Sequence, residues 1–157
     1  MKFICSTFFL LFCSQVLLAQ QNDTTELTIG EINLPSGTAS LTETDANDEL
    51  RFYRLTFHNQ MERSSTDIKT IEFSLSSSAF SAFFDAVKAT FKSEIENNVM
   101  LGNGIQIHLK MITSTDVEFL IVNDEFPIGS FSTSATGIHL LFGKPWNKSL
   151  WKTFLIE

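Results

Sequence analysis

Residues 69–95 constrain the fold more than any other stretch, because a strand period gives way to a helix period there without a gap. Ile71, Phe73 and Leu75 alternate with Thr70, Glu72, Ser74 and Ser76, which is the pattern of a strand with one buried and one wet face. From Phe80 onward the apolar set is Phe80, Phe83, Phe84, Val87, Phe91 and Ile95, spaced by three or four residues along one stripe of a helix. Ser76, Ser77 or Ser78 supplies the cap for the first turn, and no Glu or Gln stands three residues further on to complete a capping box. The expected helix covers about 78–96, with Asn97 and Asn98 as its stop. Four phenylalanines on one stripe are worth roughly 1.5–3 kcal/mol each when buried, so this helix is expected to cover a sheet.

The N-terminus places the chain before it shapes it. Lys2 precedes an apolar run over 3–18, and Ala19 ends that run with a small residue, the layout of a signal peptide over 1–19. The run is shorter than the ~20 apolar residues of a membrane-spanning helix, and Cys13, Ser14 and Gln15 interrupt it. Leu11 and Phe12 before Cys13 are too bulky for a lipoprotein cleavage point. Cleavage after Ala19 leaves one exported domain over 20–157, long enough for a real core, to work in the periplasm, at the cell surface or outside the cell. Both cysteines, Cys5 and Cys13, depart with the signal, so the domain is expected to hold together without disulfides. Losing Lys2 takes the formal charge from −7 to −8, a field that repels nucleic acid and anionic lipid surfaces.

The remaining elements follow in order. Alternation predicts a strand over 27–34, a turn at Pro35-Ser36-Gly37, a short edge strand over 38–42, and a strand over 50–57 with mixed faces. Residues 60–67 read as a polar connection. Leu101-Gly102-Asn103-Gly104-Ile105 reads as a hairpin turn, followed by strands from Ile105 and Val117, a turn at Asn123-Asp124-Glu125 and a further segment over 126–131. Residues 132–142 fit either period, with a helix stopped by Gly143 slightly preferred. Pro145, Trp146, Leu150, Trp151, Phe154 and Leu155 have the spacing of a C-terminal amphipathic helix. The fold class expected is α+β: an antiparallel sheet packed against one main helix, with a second helix near the C-terminus. Strands followed by a helix in each half resemble, in order of elements alone, the whirly or PUR-like single-stranded nucleic-acid-binding domains. The halves share no residue motif, and export and acidity argue against nucleic acid as partner.

Chemistry-bearing patterns are sparse. Asp45, Asn47 and Glu49 start like a calcium loop, but Leu50 stands where the turn glycine belongs and Thr56 where the bidentate Glu belongs. His58, His108 and His139 lack paired-ligand spacing, and no Gly-x-Ser-x-Gly or Ser-x-x-Lys occurs. A triad from Ser64, His58 and Asp67, or a carboxylate pair drawn from Glu72, Asp116, Glu118 and Glu125, would have to be assembled by the fold. No cofactor or metal is expected. The expectation is a non-catalytic interaction or binding module with a protein or carbohydrate partner. Trp146 and Trp151, about 140° apart on a helix, are the candidate interaction residues. The alternatives are a small hydrolase with a carboxylate- or His-centred site, or a carrier holding an apolar ligand against Phe80, Phe83 and Phe84.

Overall fold

The computed structural model describes residues 26–44, 50–61 and 66–144. Over these the chain forms β1 (Glu26–Leu34), β2 (Gly37–Thr44), β3 (Arg51–His58), β4 (Ile68–Leu75), α1 (Ser77–Ser93), β5 (Asn97–Gly102), β6 (Ile105–Met111), β7 (Asp116–Asn123), β8 (Phe126–Ser134) and α2 (Ala135–Leu141). The strands make two antiparallel four-stranded sheets, β1-β2-β3-β4 (sheet A) and β5-β6-β7-β8 (sheet B). Strands predominate, and the expected single sheet under one main helix is replaced by two sheets and two helices. The order of elements, four strands and then a helix, occurs twice.

The helices hold the halves together by crossing over. α1 follows sheet A but lies chiefly against β5 and β6, while α2 follows sheet B and lies chiefly against β1. β4 and β5 lie side by side without ladder pairing, because the 17-residue helix between them carries the chain to a new sheet. Alternation sets the buried faces. Leu41, Tyr53, Leu55, Phe57, Ile71 and Phe73 point inward from sheet A, and Leu101, Ile107, Leu109, Phe119, Ile121 and Phe131 from sheet B. All twelve belong to one continuous core.

Within that core Phe131 stacks on Phe119 at 4.7 Å and meets Phe57 of the other sheet at 5.2 Å. Tyr53 stacks on Phe80 of α1 at 4.6 Å, and Phe80, Phe83 and Phe84 surround Phe142 at the end of α2. Burial pushes the Tyr53 hydroxyl above its ordinary range, with Glu43 adding to the shift.

The cap of α1 is Ser76, whose Oγ accepts from the Ala79 N–H at 3.2 Å. Ser76→Ala should lower stability by about 1 kcal/mol, read as a shift in the urea midpoint at unchanged slope. The helix stops at Ser93, short of the expected 96. Glu94 takes the left-handed conformation and donates its N–H to the Thr90 carbonyl, leaving Ile95 outside the helix and 64% exposed. Asn97 and Asn98 are therefore not the stop: they open β5, and Asn97 only ties back to the helix by donating from Nδ2 to Thr90 Oγ1 at 2.9 Å.

Two further expectations need correction. Residues 38–42 are not an edge strand: they belong to β2, which pairs with β1 on one side and β3 on the other. Residues 132–142 divide, with strand up to Ser134 and helix from Ala135, and Ser134 Oγ accepts from Gly137 N–H as the cap. The helix observed near the end of the described chain is this one, closed by Gly143 at φ +59°. The expected helix from Pro145 lies outside the described residues.

Candidate interaction surface

Two hairpin tips lie side by side at one end of sheet B. Both are two-residue turns whose central residues have positive φ: Asn103 and Gly104 at 52° and 75°, Asp124 and Glu125 at 47° and 73°. This is the mirror-image turn that matches strand twist and normally recruits Asn, Asp and Gly. Asn103, Gly104 and Asp124 fit that preference. Glu125 does not, and a left-handed residue of its kind costs on the order of 1 kcal/mol. The tips are joined by a hydrogen bond from Asp124 N–H to the Gly104 carbonyl at 3.2 Å.

Phe126 follows this strained turn and precedes Pro127, which confines its backbone to the extended region. Its side chain is 76% exposed, the highest value among the large apolar residues described. The positive-φ turn before it and Pro127 after it restrict the backbone on both sides, so the main chain has little conformational freedom to lose on binding. Asp124 and Glu125 set two negative charges beside it.

The outward face of sheet A is chemically different. Arg54 sits at its centre, donating to Glu72 at 2.9 Å and to Glu26 at 2.5 Å, and these two carboxylates hold its guanidinium above its ordinary range. Around it stand hydroxyls from Thr28, Thr42, Thr44, Thr56, Thr70 and Ser74, together with Phe52, which is 53% exposed. On sheet B, Lys110 is likewise held above its ordinary range by Glu96, at 3.0 Å.

The residues singled out from sequence are dispersed. His58 Nδ1 accepts the Thr38 N–H at 2.8 Å, and Asp67 instead accepts from Asn59 Nδ2 at 2.7 Å and pairs with Lys69. The hydrogen bond from Asn59, then Lys69, keep the Asp67 carboxyl below its ordinary range. The acid–histidine pair of a triad is therefore not formed there, and Ser64 lies outside the described residues. Glu72 is engaged on sheet A. Asp116 and Glu118 are on β7 and Glu125 is in the turn after it, so the length of β7, about 23 Å at the rise of a strand, separates Asp116 from that turn.

His108 lies on the outward side of β6, while His139 is buried edge-on against Phe84. Phe80, Phe83 and Phe84 are buried among Tyr53, Phe142 and His139, so the stripe is a core surface. No group of three or more His, Cys, Asp or Glu side chains is placed to hold a metal among the described residues. Trp146, Trp151, Asp45, Asn47 and Glu49 lie outside the described residues. Sequence reasoning missed Phe126, because a register shift between Ile121 and Val122 disturbs the parity from which its exposure could have been read. The turn-like Asn123-Asp124-Glu125 was its one visible signal.

No protein-family model, curated protein or solved structure matches the chain.

Proposed function

We propose that this chain is a non-catalytic interaction module, exported by its N-terminal segment, that engages a protein partner through the hairpin tip carrying Phe126. The exposure of Phe126 on a fixed turn carries this reading. A few aromatic anchors commonly dominate interface energetics, and the strained turn beside Phe126 supports a role in presenting it. The partner offers an apolar socket with basic groups at its rim, complementary to Asp124 and Glu125. The signal-like layout of Lys2, the apolar run and Ala19 supports export. Among the described residues no helix is long and apolar enough to cross a membrane.

Phe126→Ala should leave stability within about 0.5 kcal/mol of wild type, since the ring has little to pack against. A photo-crosslinking phenylalanine analogue at position 126, in cells exporting the full chain, should give one discrete heavier species, and Asp124→Lys with Glu125→Lys should abolish it. The same analogue at position 52 is the control. A carbohydrate partner, favoured by Phe52 beside Arg54 and the hydroxyls of sheet A, predicts the reverse: silence at 126 and loss of glycan retention on Phe52→Ala. Silence at 126 together with unchanged partner binding by Phe126→Ala would overturn the main reading.

A further inference from the structure

Residues opposite one another across a sheet share a face, so a row that is buried on one strand is expected to be buried on the next. One row of sheet A departs from this. Leu27 of β1 stands opposite Glu43, and Glu43 opposite Tyr53, which is only 3% exposed, yet Leu27 is 63% exposed. The core-facing side of sheet A thus runs out of cover at β1, whose second edge has no ladder partner among the described residues. On α2, Leu140 is 54% exposed, and its backbone lies so close to β1 that a Cβ on Gly30 would overlap its carbonyl oxygen. Two large apolar side chains therefore flank the contact between α2 and β1.

The described residues end at that same contact. A Cβ on Gly143 would stand 2.8 Å from the Ile29 carbonyl oxygen, and the next residue, Lys144, donates its N–H to the His139 carbonyl. Trp146 comes two residues later, within about 7 Å of Lys144 on an extended chain, and Leu27 lies two residues from Ile29, again about 7 Å along a strand. Residues 145–157 are outside the described residues. They hold both tryptophans of the chain, Trp146 and Trp151, together with Leu150, Phe154, Leu155 and Ile156. A segment this apolar gains by covering an apolar surface, and the nearest one flanks its root.

We infer that residues 145–157 fold back from Lys144 onto the junction of β1 and α2, with Trp146 seated between Leu27 and Leu140. Charge selects this occupant. β1 carries Glu26 and Glu31 and no base, and Glu31 enters no ion pair among the described residues. In a chain of formal charge −7, residues 145–156 carry Lys148 and Lys152 and no acid, so the segment brings cations to an acidic strand. The tryptophans then complete the border of the core and are not presented to a partner, which leaves that role to Phe126.

Because the chain has no other tryptophan, intrinsic tryptophan fluorescence reports this segment alone. The test compares acrylamide quenching of the full chain with that of a free peptide of residues 145–157. In the folded chain quenching should be several-fold weaker, with blue-shifted emission. Leu27→Gln combined with Leu140→Gln removes the apolar seat without changing charge, at two positions more than half exposed. It should restore peptide-like quenching while far-ultraviolet circular dichroism stays that of wild type. Met100→Gln, 59% exposed on sheet B, should change nothing, and Glu31→Lys should raise quenching part of the way. Peptide-like quenching in the folded wild type would overturn the inference. So would protection that the double variant keeps, since the segment would then lie on another surface, and protection lost on dilution, since another copy would then supply it. If the double variant fails to fold, Leu27→Gln and Leu140→Gln are judged singly by the same readings.

Discussion

Phe131→Ala should remove about 4 kcal/mol of stability, within the range for large aromatic truncations in a closed core. The side chain is fully buried, and it touches both Phe119 on the neighbouring strand and Phe57 on the opposite sheet. Two aromatic pairs are lost together with the buried area, and a cavity opens where sheet A and sheet B meet. Single domains hold about 5–15 kcal/mol in total, so much of the margin disappears. In urea the midpoint should fall sharply at unchanged slope, whereas Phe52→Ala, on the wet face of sheet A, should stay within about 0.5 kcal/mol. Phe57→Ala combined with Phe131→Ala should cost less than the sum of the two, by about 0.5–1.5 kcal/mol, because each removes the same contact. Strict additivity, or two separate unfolding transitions, would show that the sheets do not share a core.

The features legible in the sequence were those governed by short-range rules. Ile71, Phe73 and Leu75 alternate as a strand must, Phe80 to Val87 form a helical stripe, one of the serines at 76–78 caps the helix, and Asn103-Gly104 makes a hairpin; all four appear in the structure, with Ser76 as the cap. Residues 38–42 look like a short edge strand because Thr38, Ser40 and Thr42 are polar. An interior strand with one solvated face has this composition too. β5 escaped notice because it is six residues long and opens with two asparagines, which also signal a helix stop.

The division into two sheets was beyond any local signal, since it depends on each helix crossing to the other half. The same holds for Asn59, which looks like an ordinary loop residue until β8, more than seventy positions away, is laid against it. Of the candidate surface, the turn beside Phe126 was visible, but the exposure of its ring was not.

That crossing gives the second large prediction, at Gly30. Glycine to alanine in a strand normally stabilises by about 0.4–1 kcal/mol, because alanine has fewer unfolded conformations to lose. Here the sign should reverse. A Cβ on Gly30 would overlap the carbonyl oxygen of Leu140 and come within 2.6 Å of that of Leu141, so the obstacle is backbone at the end of α2, which cannot rotate away as a side chain can. That backbone is fixed by its own cap: Lys144 N–H donates to the His139 carbonyl and Gly143 N–H to the Leu140 carbonyl, the paired bonds that close a helix on a left-handed residue. Gly143 itself passes so close to β1 that a Cβ there would stand 2.8 Å from the Ile29 oxygen.

Gly30→Ala must therefore push α2 off β1, at a cost of about 3 kcal/mol. Phe142, which follows α2, would be drawn from among Phe80, Phe83 and Phe84, so the near-ultraviolet circular dichroism of the aromatic cluster should weaken along with the loss of stability. A neutral or stabilised Gly30→Ala with an unchanged aromatic signal would mean that α2 does not rest on sheet A. The exchange of helices between halves would then be lost as the reason the two sheets stay together.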